Sequence, residues 1–102
     1  MNLKIHKNLQ KIRPEDHEAI DRFIDLNVTG KLDSYLKRYA KDAQEIHLYI
    51  HLEENKKGEF DGSVRILADG KEFASKREDF RSLADLVNHL FDHVKGQMAD
   101  VK

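Results

Sequence analysis

Apolar and polar positions alternate most cleanly between Ile46 and Glu53. Ile46, Leu48, Ile50 and Leu52 fall on one side of an extended chain, and His47, Tyr49, His51 and Glu53 on the other. That period of two predicts a half-buried strand. Asn55-Lys56-Lys57-Gly58 is turn chemistry, and a strand follows over about Phe60 to Leu67, with Val64 and Ile66 facing one way. Asp69-Gly70 predicts a tight hairpin into a further strand through Phe73 and Ser75. A short opening strand, Met1–Ile5, puts Leu3 and Ile5 on one face and Asn2 and Lys4 on the other.

Two stretches carry the helical period instead. Pro14 suits a first helical turn, because its missing N–H is not needed there. Glu15, Asp16 and Glu18 then favour the positive end of the helix dipole. Ala19, Ile20, Phe23 and Ile24 form the apolar stripe, with Leu26 at its margin. Asn27-Val28-Thr29-Gly30 interrupts it with weak helix formers, which predicts a kink or a break. The period resumes with Leu32, Tyr35, Leu36, Tyr39 and Ala40 and ends near Asp42. Leu83, Leu86, Val87, Leu90, Phe91 and Val94 form the apolar face of a last helix, with Asp79 or Ser82 to cap it. Gly96 weakens that helix, so residues 96–102 are expected to fray. The order is β-α-β-β-β-α, an α+β domain spanning 1–102. Each helix brings one apolar stripe, so both must cover the same face of a four-stranded sheet.

Composition narrows the class of protein. The chain has 102 residues, 39% of them apolar and 36% charged, with one proline and no cysteine. That is one domain with a modest core and no thiol chemistry. No apolar run reaches the roughly eighteen residues of a membrane span, and the N-terminus has no signal-peptide stretch, so a cytoplasmic protein is expected. The net charge of -1 hides an asymmetry. Residues 1–41 hold nine Lys/Arg against six Asp/Glu, and residues 42–102 hold nine against thirteen. Any contact with nucleic acid must therefore rest on a local patch.

The chain resembles the bacterial ribosome hibernation-promoting factors and ribosome-associated inhibitors, also called sigma-54 modulation proteins. The order of elements matches along nearly the whole chain. Met1-x-Leu3-x-Ile5, Ile12-x-Pro14 and Ile20-Asp21-Arg22-Phe23 are similar to that family's first strand and helix start. Lys31-Leu32-x-x-Tyr35-Leu36-x-Arg38 is similar to the end of its first helix. Ala74-Ser75, Glu78-Asp79, then Leu83, Asp85, Val87 and Phe91 are similar to its last strand and second helix. The resemblance implies a non-catalytic domain lodged in the mRNA and tRNA channel of the small ribosomal subunit. Basic residues of both helices contact ribosomal RNA there and silence translation by occlusion, preserving ribosomes under stress or in stationary phase. It implies no cofactor, no small-molecule substrate, no membrane, and a monomer off the ribosome. The chain ends where the family's first domain ends, like its short form, which occupies single ribosomes without pairing them. Two departures stand out. The stretch between Arg22 and Lys31 is about five residues longer than usual. The second helix offers only Arg81 and Lys95, with Asn88, His89, Asp92, His93 and Gln97 where more positive charge is usual.

On a helical wheel Lys31, Arg38 and Lys41 fall within about 80° of one another, with Lys37 at the margin, forming a stripe that can track phosphates. Lys76, Arg77 and Arg81 form a second candidate ridge where the last strand meets the last helix. With the resemblance, the expected RNA contacts are Arg22, Lys31, Lys37, Arg38, Lys41, Lys76, Arg77, Arg81, His89, His93 and Lys95.

His89 and His93 have the i, i+4 spacing of a metal-chelating helix, with Asp85 one turn earlier, but no third ligand is identifiable, and surface histidines are the expectation. His47 and His51, about 13 Å apart at strand rise, cannot share a metal by themselves. No glycine-rich phosphate loop or nucleophile motif is present, and Glu53-Glu54 read as solvated charge, so no enzyme is expected. Two other uses of the same fold stay open: a protein-binding module, favoured by the poorly basic second helix, and a double-stranded-RNA module.

Overall fold

The computed structural model describes residues 2–39, 45–68 and 70–100. Its elements run β1 (Asn2–Lys11), α1 (Pro14–Asn27), a π-helical turn (Val28–Leu32), α2 (Asp33–Tyr39), β2 (Glu45–Glu54), β3 (Phe60–Ala68), β4 (Lys71–Phe80) and α3 (Leu83–Ala99). The sheet has the order β1-β2-β3-β4, with β1 parallel to β2 and the other pairs antiparallel. Helices cover one face. The expected β-α-β-β-β-α layout is present.

β2 is the centre of the core. Ile46, Leu48, Ile50 and Leu52 are buried, alternating with half-exposed residues, as its period of two requires. Val64 and Ile66 of β3, Phe73 of β4, and Leu86, Val87, Leu90, Phe91, Val94 and Met98 of α3 close over them. Gly62 lies at the tightest contact between sheet and helix. A Cβ there would stand 2.6 Å from Leu52 Cδ2, 3.1 Å from Leu90 Cδ1 and 3.2 Å from Leu86 Cδ2. Leu52, Leu86 and Leu90 are themselves fully buried and have little room to yield. Gly62→Ala should therefore destabilise the protein by about 1–3 kcal/mol. Urea unfolding checks this; an unchanged midpoint would mean that α3 can lift without cost.

Four elements differ from the sequence expectation. β1 extends to Lys11, beyond the expected Met1–Ile5, because pairing to β2 continues past Ile5, with a register shift between Asn8 and Lys11. Its Ile5 faces the helix side but stays 39% exposed, since β1 is an edge strand. Leu26 is not part of the apolar stripe; it is 67% exposed. β4 runs on through Lys76 and Arg77 to Phe80 rather than giving way to the helix there.

The fourth difference is the expected break at Asn27–Gly30. The helix does not break; it widens into the π turn Val28–Leu32. Ile20, Ile24, Val28, Leu32 and Leu36 are all buried, a series four residues apart. At 100° per residue, sixteen residues of regular α-helix would leave Leu36 about 160° out of phase with Ile20. A wider turn takes up part of that drift and keeps the stripe on the sheet. Asn27 is buried beside this turn, where its Nδ2 donates to Phe23 O (2.7 Å) and to Asn88 Oδ1 of α3 (3.0 Å).

The β2–β3 turn is closed by Asn55, whose Oδ1 accepts from the Lys57 and Glu59 N–H groups at 2.9 and 3.1 Å. Its Nδ2 donates to Asp61 Oδ1 and Asp79 Oδ1 at 3.0 and 2.8 Å. This knot holds Asp79 in a left-handed conformation (φ 61°) at the irregular end of β4. Asp79 is thus not the cap of the last helix. Ser82 is, accepting from the Asp85 N–H at 3.3 Å. Asp79 also raises the Lys57 pKa above its usual 10.5 through a hydrogen bond and its charge. α3 continues through Gly96 to Ala99, and buried Met98 anchors that last turn to the core. The expected fraying at residues 101–102 lies outside the described residues.

Candidate nucleic-acid interface

The helix layer turns one solvent side outward, and most of the predicted contacts sit on it. Arg22 is exposed on α1, Lys37 and Arg38 on α2, and His89, His93 and Lys95 on α3. Arg38 lies over the Tyr35 ring, its guanidinium carbon 5.6 Å from the centroid, which holds the charge near the helix surface. Lys37 pairs with Asp33 one turn back at 3.0 Å, and Arg22 with Glu18 at 3.4 Å. Both pairs are exposed and weak enough to be exchanged for phosphate.

Lys31 stands apart from this group. It sits in the π turn, where the regular wheel fails, and its Nζ lies 2.8 Å from Asp92 of α3. The pair ties the two helices together. The expected stripe of Lys31, Arg38 and Lys41 is therefore reduced to Lys37 and Arg38 among the described residues. Lys41 lies outside them.

The second ridge also separates. Lys76 pairs in register with Ser63 and faces away from the helices, its Nζ 3.6 Å from Glu78. Arg77 turns toward α3, where its Nη2 approaches His93 Nδ1 at 3.3 Å. Arg81 lies in the turn, with a 93% exposed side chain 3.7 Å from Glu59. Alternation along the strand sends neighbours to opposite faces, and the sequence ridge assumed that β4 had already ended. His89 packs against the Phe80 ring, centroids 5.1 Å apart. Among the described residues no group of three or more His, Asp or Glu is placed to hold a metal ion.

The structure also assembles a cluster that strand-by-strand reading misses. On the helix-free face His6, Tyr49 and Arg65 lie in register across β1, β2 and β3. The His6 and Tyr49 rings stack at 4.5 Å and 13°, and the Arg65 guanidinium lies 5.0 Å from the Tyr49 centroid. Beside this row is a shallow hollow of about 340 Å³ that Asn8, His51 and Ser63 also line. Lys4 and His47 both reach the Glu45 carboxylate, at 3.2 and 3.3 Å. The Lys4 hydrogen bond and charge, with a smaller part from His47, hold the Glu45 carboxyl below its usual 4.5. What that pair adds to stability is present above about pH 4.5 and fades as the carboxyl protonates below it. The even positions of β1 and the odd positions of β2 signalled such a face; which residues meet depends on their parallel register.

No family model matches the chain, and no curated protein matches it in sequence. Among solved structures it is similar to the Thermus thermophilus Protein Y N-terminal domain, with a TM-score of 0.60 and 17% identity over 96% of each chain. At that identity the likeness establishes a shared fold, a four-stranded sheet carrying its helices on one face.

Proposed function

We propose that this protein is a non-catalytic inhibitor of translation that binds ribosomal RNA of the small subunit through its helix layer and occludes the mRNA and tRNA channel. The observation that carries this reading is the pairing of the β-α-β-β-β-α fold with exposed cations on the outer side of both helices. The sequence resemblance to the hibernation factors supplies the partner, and the likeness to Protein Y agrees with it at the level of fold. Phosphate contact needs no base reading, so a few mobile cations on a rigid layer suffice.

Sedimentation with ribosomes and separated subunits at several salt concentrations tests the reading. Recovery with the small subunit, weakening as salt rises, is the expected result. A specific observation favours a second reading, a protein partner of the same fold. Most cations of the candidate interface already have an acidic neighbour: Arg22 has Glu18, Lys31 has Asp92, Lys37 has Asp33 and Arg81 has Glu59. Recovery with neither subunit would decide for that alternative.

His89 and His93 provide a pH test. If this side of α3 lies against phosphate, binding should strengthen as pH falls from about 7.5 to 6. His89→Gln with His93→Gln should flatten the response, measured as affinity against pH. An unchanged response in the double variant would place both side chains away from RNA.

A further inference from the structure

We propose that the outer edge of β4 is a strand-pairing surface for a second copy of this chain, and that the Gln97 side chain holds it closed. The proposal goes beyond the RNA reading and does not depend on it. Among the described residues β4 ends the sheet, so one row of its backbone groups faces outward. Ala74 shows which row. Its N–H donates to Gln97 Oε1 at 3.0 Å, and its C=O accepts from Gln97 Nε2 at 2.6 Å. A residue of an added antiparallel strand would make the same pair of bonds. A side-chain amide donates and accepts at once, as a backbone amide does; a lysine or arginine at this position could not accept from Ala74. Met98, one residue on, is fully buried and fixes the helical turn that carries Gln97.

The edge fits a second copy because its charges complement themselves about Ala74. β4 pairs regularly with β3 from Lys71 to Arg77, and Ala74 is the middle of that segment. Outward and inward backbone groups alternate, so Glu72 and Lys76 present theirs on the same edge as Ala74. Lys76 O accepts from Arg77 Nη1 at 2.8 Å, a contact made by an exposed side chain that turns aside when a strand arrives. Antiparallel pairing about a two-fold axis at Ala74 joins Ala74 to Ala74 and sets Glu72 opposite Lys76 on both sides of the axis. These opposite charges meet on the helix-free face, where directly facing side chains interact. Their present partners, Arg65 for Glu72 at 3.8 Å and Glu78 for Lys76 at 3.6 Å, are exposed and readily exchanged. Lys71 falls opposite Arg77 at each end, a like-charge pair that confines the new ladder to Glu72–Lys76.

Sedimentation velocity of the intact chain, from micromolar to millimolar concentration, tests this. The wild type should stay monomeric over most of that range. Gln97→Ala should dimerise with a dissociation constant at least about tenfold lower, since neither copy then gives up two amide bonds to pair. Gln97→Glu keeps the length and the bond from the Ala74 N–H, but its carboxylate cannot donate to Ala74 O, so its dimer should be intermediate in strength. It also serves if circular dichroism shows Gln97→Ala unfolded. Adding Ala74→Pro to Gln97→Ala removes the central donor, in a residue type that edge strands accept, and should return the monomer. Adding Glu72→Lys should weaken the dimer, and Glu72→Lys with Lys76→Glu should restore it, which identifies the register. A folded Gln97→Ala or Gln97→Glu variant as monomeric as the wild type would overturn the proposal. So would a dimer that persists with Ala74→Pro, or open-ended polymers, which would mean pairing of β4 with the β1 edge of the next copy.

Discussion

Reversing Lys37, Arg38 and Lys41 to Glu should remove most ribosome binding while the fold survives. Leu32 and Leu36, which seat this part of the helix on the core, are untouched and fully buried. The stability lost is small. The exposed Lys37–Asp33 pair is worth about 0.3–0.5 kcal/mol, and Arg38 over Tyr35 about 0.5–1 kcal/mol. Binding should change far more. Each phosphate contact contributes roughly 0.7–0.9 to the slope of log affinity against log salt. Two or three lost contacts make the slope shallower by about 1.5–2.5. Against a 1 M reference, a slope change of about 2 corresponds to about a hundredfold at 0.1 M salt. Circular dichroism must first show the variant folded. Wild-type affinity and slope in the folded variant would exclude these three residues as contacts, leaving Arg22, Arg77, Arg81, Lys95 and the histidines of α3.

Phe91→Ala should have the largest effect on stability. Phe91 is fully buried in the core, on the face of α3 that meets the sheet. Truncating a buried phenylalanine costs about 3–5 kcal/mol through lost transfer energy and the cavity left behind. For a domain of this size about 1 kcal/mol moves the melting temperature by roughly 4–8 °C, so a fall of at least about 12 °C is expected in a thermal scan. Leu26→Ala is the matched control, since Leu26 is 67% exposed and its loss should stay within about 0.5 kcal/mol. Similar melting temperatures for the two variants would show that α3 is not seated as described. The two predictions separate the layers of the molecule: one tests what the helices present to solvent, the other what fixes them to the sheet.

Sequence by itself determined the α+β class, the order of elements and most of the core. The reason is periodicity. Ile46 to Leu52 and Leu83 to Val94 can bury their apolar residues in one way each, and the structure follows both. What the sequence could not determine was anything that depends on the phase of one element against another. A uniform helical wheel joined Lys31 to Arg38, but the π turn at Val28–Leu32 shifts the phase between them and hands Lys31 to Asp92. Local spacing placed Lys76, Arg77 and Arg81 on one ridge, but the pairing of β4 with β3 continues to Phe80 and sends them apart. His6 and His47 are forty-one residues apart in the chain and 3.1 Å apart in space. Only the parallel register of β1 on β2 brings them together, and that register is set by burial of Leu3, Ile46 and Leu48 on the opposite face of the sheet.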